Sequence, residues 1–397
     1  MKLRSITELK NIAGKRVLLR IDANVPLKNG KIEDDYKLIK SLPTIRYLLR
    51  QKARIIIMSH LGRPKEYDEK VSLRPVAEYF QKKLRQPILF FDIHALSDSW
   101  KRAILAVENM QPGNILMLEN IRFNADEEKN TGILAKKLST LADIFVLDGF
   151  GVAHRDAASV TGVKKFLPTF AGLLLEEEVS ALCKVLEKPR RPLVLVLGGA
   201  KMETKIPLLK NFIKKADYIL LGGGILATYL HHQGKSVGTS LVEKELPKSV
   251  FTIFKNKKIK FQSDVTIGTV KGKKVMHLPF NSKFKISQAD QGIYDVGPET
   301  LKEYKKILKK AKTIVWNGAL GYFEQHPYQK GTYALAKMLA EQSKRGALVI
   351  CGGGETEEIL KKLKLLNIID LVSTGGGAML EFLSGKTLPG IKVLLKK

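Results

Sequence analysis

Short apolar runs rich in valine, isoleucine and leucine recur along the chain, each closed by a polar or glycine-rich turn. In the first half they are RVLLRID (16–22), RIIIMSH (54–60), PILFFD (87–92), NILMLEN (114–120) and IFVLDGF (144–150). In the second they are PLVLVLGG (192–199), YILLGGG (218–224), TIVWNGA (313–319), ALVICGGG (347–354) and LVSTGGG (371–377). Segments of helical period, among them 36–51, 206–216 and 333–345, lie between them. Uninterrupted apolar strands alternating with helices predict parallel sheets covered on both faces. Two such series predict an α/β protein of two doubly wound, Rossmann-like domains. The segment FAGLLLEEEVSALCKVLEK (170–188) has apolar positions at Leu174, Val179, Leu182 and Leu186 and no strand character. It predicts an interdomain helix, which divides the chain into 1–169, the helix 170–188, 189–377 and a tail 378–397.

Ligands of open parallel sheets bind beyond the carboxyl ends of the strands, so the residues that follow each run are the informative ones. In the first half these are Asp22 and Asn24, His60 and Arg63, Arg122, and His154 with Arg155. In the second half they are glycine clusters: GGAK (198–201), GGG (222–224), NGALG (317–321), GGGE (352–355) and TGGG (374–377). Basic side chains suit a small anionic substrate, whereas glycines let backbone N–H groups approach phosphates at helix starts. One half reads as a site for a small acid, the other as a site for a nucleotide.

Composition sharpens this picture. At 397 residues with 44% hydrophobic and 27% charged, the chain is ordinary globular protein. Its two cysteines, Cys183 and Cys351, are far apart in the sequence and predict packing roles in a reducing cytoplasm. The polar start and the lack of any run of about 18 apolar residues predict a soluble, cytoplasmic protein without membrane partners. The formal charge is +29. It is unevenly placed: residues 1–187 hold 31 basic and 23 acidic residues, and residues 188–397 hold 37 and 16, so the halves carry +8 and +21. Twelve of the 15 arginines fall in the first half. Lysine runs such as KNKKIK (255–260) alternate with apolar residues and read as solvated faces, so no dedicated nucleic-acid partner is expected. Arginine's planar fork suits carboxylate and phosphate, which makes the first-half arginines the sharper signal.

Three glycine motifs are decoys. QGKS (233–236) lacks the glycine that a phosphate-binding loop needs five residues earlier, where Tyr229 stands. Gly222, Gly224 and Ala227 follow a strand, but no acidic residue ends a strand about 20 residues later. GFGVAH (149–154) fails at its last position. The histidine pair His231–His232, and His277, have no metal-ligand partners nearby in the sequence.

The ordered set of motifs resembles phosphoglycerate kinases nearly end to end. RIDANVP (20–26), LPTI (42–45), SHLGRPK (59–65), SLRPVAEY (72–79), LEN-IRF (118–123) and FGVAHR (150–155) resemble the family's first domain. GGAKMETKIP (198–207), NSKFKISQADQGIYDVGPET (281–300), WNGALGYFE (316–324), GGGET (352–356) and STGGGAMLEFLSGKTLPG (373–390) resemble its second. The resemblance implies reversible, magnesium-dependent phosphoryl transfer between ATP and the carboxylate of 3-phosphoglycerate, in a monomer that closes about a hinge. It implies that Asp22, Asn24, Lys37, His60, Arg63, Arg122 and Arg155 hold the phosphoglycerate. It assigns Lys201, Lys205, Glu324, Gly353, Gly354, Glu355 and Thr356 to the nucleotide, with Glu355 serving the metal. Lys37, Lys201, Gly375 and Gly376 would border the transferring group, and the tail would return to the first domain.

Two departures lie where the chemistry is expected. In Asp34-Asp35-Tyr36-Lys37-Leu38 a lysine stands where the family has arginine, which keeps the charge and loses the fork. Glu355 stands where the family has a metal-serving aspartate, and its extra methylene moves the ligand oxygen. Ala23, Leu147, Gly149, Val152, Ala157 and Ala319 also differ from the family pattern, Ala157 replacing a substrate-binding histidine. The expected enzyme works, but slowly. The alternatives are a non-catalytic relative that binds nucleotide and phospho-acid, and a basic nucleic-acid-binding protein.

Overall fold

The computed structural model describes residues 1–94, 98–199, 201–247, 249–281 and 284–396. Ala200 of the GGAK turn, Ser282 and Lys283 of the 281–300 segment, and Lys397 of the tail lie outside the described residues. The chain divides into two compact units, Met1–Ser180 with Thr387–Lys397, and Ala181–Lys386.

In the first unit the strands are β1 (Arg16–Arg20), the short pair β2 (Leu27–Lys28) and β3 (Lys31–Ile32), β4 (Arg54–Met58), β5 (Ile88–Phe91), β6 (Ile115–Leu118), β7 (Ile144–Leu147) and β8 (Thr169–Ala171). Six of them form a sheet in the order β5-β6-β4-β1-β7-β8, with every neighbouring pair parallel. Val17, Leu18 and Leu19 of β1 are wholly buried, as a strand covered on both faces requires. The helix Tyr36–Arg50 packs Leu38, Leu42, Ile45 and Leu48 against this core. Its first turn is set by Asp34, whose Oδ1 accepts the Tyr36 N–H at 2.9 Å. The tail reaches this unit through Leu3, which bridges Leu395, and Arg4, whose N–H donates to Leu394 O.

The second unit contributes β9 (Leu193–Leu197), β10 (Tyr218–Leu221), β11 (Ile259–Lys260), β12 (Asp264–Thr269), β13 (Met276–Pro279), β14 (Gln291–Val296), β15 (Thr313–Asn317), β16 (Leu348–Gly352) and β17 (Leu371–Ser373). A second all-parallel sheet runs β11-β10-β9-β15-β16-β17. Each sheet has its first strand in the middle, so the order reverses beside β1 and beside β9, where ligand crevices form. Cys351 is buried in β16, and Cys183 is buried on the helix Leu173–Glu187, both as free thiols.

Two features depart from the expected pattern. Phe170 and Ala171 belong to β8 and not to a helix, since Thr169 and Ala171 face the core and Phe170 is half-buried, a period of two. The second unit also holds a three-stranded antiparallel sheet, β13-β12-β14, which a purely parallel reading omits. One of its faces packs Val265 and Ile267 against Leu226 and Leu230, while β13 stays largely exposed.

The helix Leu173–Glu187 starts on a buried acid. Asp148 Oδ1 accepts the N–H groups of Leu174 at 2.9 Å and Leu175 at 3.2 Å. Its Oδ2 has no hydrogen-bond partner among the described residues. Burial pushes the Asp148 carboxyl up to about 7, over the opposing pull of the Thr44 hydroxyl and of these N–H donors, with Glu178 adding to the rise. A raised acid is neutral in the folded chain at pH 5 but ionised in the unfolded chain. Folding stability is therefore lost as pH climbs from about 4 to about 7. Asp148→Asn keeps the accepting oxygen and removes the titration. Its unfolding free energy in urea should gain on the wild type by on the order of 3 kcal/mol between pH 4.5 and pH 8. A difference that stays constant over that range contradicts the buried acid.

Candidate active site

β1 ends in Arg20, which is 1% exposed although it is charged. Such a group must be met by protein on every side. Its Nε donates to Ser159 Oγ at 2.8 Å and its Nη1 to Ile21 O at 2.6 Å and Ser59 Oγ at 3.3 Å. Its Nη2 lies 3.2 Å from His60 Nδ1. Ser159 passes the charge on: its hydroxyl and N–H donate to the buried Glu127 at 2.6 and 2.9 Å. One guanidinium thus ties the ends of β1 and β4 to the loop after β7.

Arginine can only donate, so His60 Nδ1 is the acceptor and the imidazole proton sits on Nε2. Burial, with Arg20 next and Arg122 and Lys37 beyond, drives His60 well below its ordinary value, and Asp22 only partly opposes this. The ring is neutral at physiological pH. Asp22 lies beside it, 5% exposed. Burial would raise its carboxyl, but Lys37 Nζ at 2.9 Å from Oδ2, together with His60 and the Asn24 N–H, outweighs that and holds it at about 2. Its Oδ1 accepts the Asn24 N–H at 3.1 Å, and Asn24 Oδ1 accepts the Gly62 N–H at 2.9 Å.

Arg122 is buried and donates through Nη1 to Gly62 O. Burial, then the neighbouring Arg155, brings its guanidinium down to about 10. The two arginines share one carboxylate, Glu128 Oε1, at 3.5 and 3.9 Å. Arg63 is exposed beside Gly62, without an ion pair among the described residues. The structure therefore gathers Asp22, Asn24, Lys37, His60, Arg122 and Arg155 at the carboxyl ends of β1, β4, β6 and β7, with Arg63 at the rim. Two positive charges on a single carboxylate, with a third free at the edge, leave a surplus that suits a small anion.

The second unit builds its site from backbone. Lys205 is 7% exposed and donates from Nζ to Gly198 O. Burial lowers its pKa, with Glu355 and Glu243 opposing. Gly199 has φ +86, and a Cβ there would run into the Lys205 ammonium. Asn317 Nδ2 donates to Gly352 O at 2.7 Å, and the Gly318 N–H donates to Thr356 Oγ1 at 3.1 Å. Glu355 Oε2 accepts the Ala319 N–H at 3.1 Å. The turns after β15 and β16 are thereby stitched together. Gly353, at φ +102, opens the helix Gly354–Lys362. Next to it, Gly375 donates its N–H to Ser373 Oγ at 3.0 Å, and Gly376 opens the helix Gly377–Leu383.

A cavity of about 630 Å³ opens here, its wall including Gly199, Gly223, Leu320, Tyr322, Glu324 and Glu355. Glu324 is exposed at the mouth, its carboxyl raised by burial and by Glu355 and Glu358. Lys201, Gly375 and Gly376 are not on this wall, and Lys201 is exposed. Sequence reasoning missed Arg20, Glu127 and Ser159, whose one visible signal is an arginine inside an apolar run. It also missed Gln262 and Asp295, two buried polar residues on the cavity wall.

The family model described as phosphoglycerate kinase matches residues 6–386. The phosphoglycerate kinase of Pelotomaculum thermopropionicum is 41% identical over 395 residues, covering 98% of each chain. The solved structure of phosphoglycerate kinase from Coxiella burnetii superposes with a TM-score of 0.85 at 40% identity, covering 99% of both chains. This chain belongs to the phosphoglycerate kinase family. The fold is shared with more distant members too, since the Pyrococcus horikoshii phosphoglycerate kinase has a TM-score of 0.85 at 29% identity. The match to the phosphoglycerate kinase family spans both units, so each of the two clusters lies within the matched region.

The site's electrostatics give a direct test. Histidine NMR should find His60 still neutral at pH 6, with the proton on Nε2. Arg20→Met should raise its pKa, because a neighbouring positive charge is lost. A His60 that is protonated at pH 6 in the wild type contradicts the buried Arg20 contact.

Proposed function

We propose that this chain catalyses the reversible transfer of a phosphoryl group between ATP and the carboxylate of 3-phosphoglycerate, forming ADP and 1,3-bisphosphoglycerate. In glycolysis the reaction runs toward ATP. The observation that carries this reading is the pairing of two unlike clusters on one chain. One is a basin of guanidinium and ammonium groups, and the other a glycine-walled cavity whose wall residue Gly199 has the buried Lys205 ammonium behind it.

In this reading Arg63, Arg122 and Arg155 take the phosphate of the acid, while Asp22, Asn24 and His60 set its orientation. Lys37 faces its reacting carboxylate. Lys205 and the N–H groups of Gly353, Gly354, Glu355 and Thr356 take the nucleotide phosphates, and Glu324 takes the ribose hydroxyls. Lys201, Gly375 and Gly376 border the group in transit. That group spreads its charge over three oxygens, so alignment and positive field do most of the work. The acceptor carboxylate is ionised at pH 7 and needs no general base. A neutral His60 whose Nδ1 is already occupied fits a framework role.

Magnesium would enter with the nucleotide. Among the described residues no cluster of three or more His, Cys, Asp or Glu could hold a metal, so phosphate oxygens and water would supply most ligands. Glu355 fits as the protein's share, since one carboxylate oxygen is held by the Ala319 N–H and the other makes no hydrogen bond among the described residues. Bound there, the metal would neutralise phosphate charge. With acid and nucleotide on different units, transfer requires closure, for which the segment 170–188 is the proposed hinge. Among the described residues no helix is long and apolar enough to cross a membrane, and we take the working form to be a cytoplasmic monomer.

Lys37 is already engaged by Asp22, so part of its field is spent before substrate arrives. An arginine there can hold Asp22 and still present a second N–H pair. MgATP with 3-phosphoglycerate should give acceptor-dependent ADP formation, followed with coupled removal of 1,3-bisphosphoglycerate and a control without acceptor. Turnover absent while both ligands bind would sink the kinase reading in favour of a binding protein. Lys37→Arg and Glu355→Asp, singly and together, should raise kcat or kcat/KM by about ten-fold, one charge-assisted hydrogen bond's worth. If neither does, these two positions do not limit transfer.

A further inference from the structure

Three acids stand in a row on the short helix Asp126–Lys129, in the segment that follows β6 and Arg122. Two are committed to the fold. Asp126 accepts the Thr131 N–H at 3.0 Å on Oδ1 and the Leu134 N–H at 2.8 Å on Oδ2. Glu127 is 3% exposed and takes both donors of Ser159, one on each oxygen. A fourth acid, Asp156 beside Arg155, accepts from Asn130 Nδ2 at 2.9 Å. Glu128 is different. It makes no hydrogen bond among the described residues, and its side chain is 64% exposed. Its Oε1 nevertheless lies 3.5 Å from Arg122 Nε and 3.9 Å from Arg155 Nη1.

Both distances exceed a good hydrogen bond, so it is mainly the field of the arginines that holds this carboxylate. Ion pairs that reach into water are weak, and this one can be exchanged at little cost. The arginines are not so free. The Arg122 side chain is 5% exposed and donates through Nη1 to Gly62 O, so it stays where it is when Glu128 moves. After burial, Arg155 is the main group that lowers the Arg122 pKa, a mark of repulsion between the two guanidiniums. One loosely tethered carboxylate, with no bond to make for the fold, thus answers two crowded cations.

We infer that Glu128 is a built-in competitor of the substrate's phosphate for Arg122 and Arg155, and so sets how tightly the acid binds. The inference rests on the reading of these arginines as the seat of that phosphate. A phosphate dianion brings more charge than one carboxylate, and three oxygens that can meet both planar forks, so it displaces Glu128. The displaced side chain turns into water. Its charge stays close to the phosphate, so its opposition persists in the bound state. The phosphate of 3-phosphoglycerate takes no part in the transfer, which happens at the carboxylate. An effect confined to the phosphate is felt equally by the bound acid and by the transition state, which changes KM and leaves kcat alone.

The test is Glu128→Gln in the full chain, with calorimetric binding of 3-phosphoglycerate and steady-state kinetics with MgATP. Removing the charge at nearly constant shape should tighten binding and lower KM for the acid by about five-fold, as two exposed ion pairs allow, with kcat unchanged. Glu128→Asp keeps the charge and should stay within about two-fold of the wild type. Glu299→Gln removes an equally exposed carboxylate from the second unit and should leave KM for the acid where it was. Weaker binding by Glu128→Gln would make the carboxylate a brace for the arginines and overturns the proposal. So does a KM that does not move, or one that falls equally in Glu299→Gln. A wild type that does not bind 3-phosphoglycerate overturns the reading of the arginine pair itself, and this inference with it.

Discussion

A charge taken out of water has to be answered within a few ångströms, and this constraint organises both units. In the first unit the charge is Arg20. It is answered by Ser159 and through it Glu127, by two contacts to Ser59 and Ile21, and by His60. Ile21 follows β1, Ser59 and His60 follow β4, and Ser159 lies between β7 and β8, so meeting one guanidinium positions three segments together. His60 is then obliged to be an acceptor on the side facing Arg20. In the second unit the charge is Lys205, answered by the Gly198 carbonyl and by the field of Glu355. Glycine is needed at position 199 because the ammonium occupies the space that a side chain would take.

The same constraint explains what could and could not be read along the chain. The two parallel sheets were legible because burial on both faces demands continuous apolar runs, and those runs are conspicuous at Val17–Leu19 and Leu193–Leu197. Residues at the strand ends were legible because topology alone places them at the crevice. The antiparallel sheet was not, because β12 alternates Val265 and Ile267 with polar residues in place of a continuous apolar run, and β13 is only four residues long and largely exposed. β8 was lost for a related reason: its three residues run almost directly into a strongly periodic helix, and the longer pattern swamps the shorter.

Partnerships were harder to see than positions. Nothing in the sequence says that Arg20 meets Ser159, 139 residues away, or that Glu128 is shared between Arg122 and Arg155. Lys37 looked like a simple loss of arginine's fork, but its ammonium is tied to Asp22, which changes what its charge can do. Gln262 gave no signal at all, because a glutamine after a short strand is unremarkable until its buried Oε1 turns out to have no hydrogen-bond partner among the described residues. Spacing along a chain carries periodicity, whereas hydrogen-bond satisfaction is a property of three dimensions.

The large positive balance is then best divided by burial. Exposed lysines such as Lys255, Lys257, Lys305 and Lys306 face solvent, where charge acts over roughly 8 Å at physiological salt. They can raise the rate at which anions arrive, but their effect on a bound phosphate is largely screened. Arg20, Arg122 and Lys205 are different. They lie below the surface, where screening is weak, and they are fixed before any ligand comes. Binding therefore need not organise them, and their field is directed at a defined place. Screening thus separates the two populations of charge: the exposed lysines act on what approaches, and the buried cations act on what is already bound beside them.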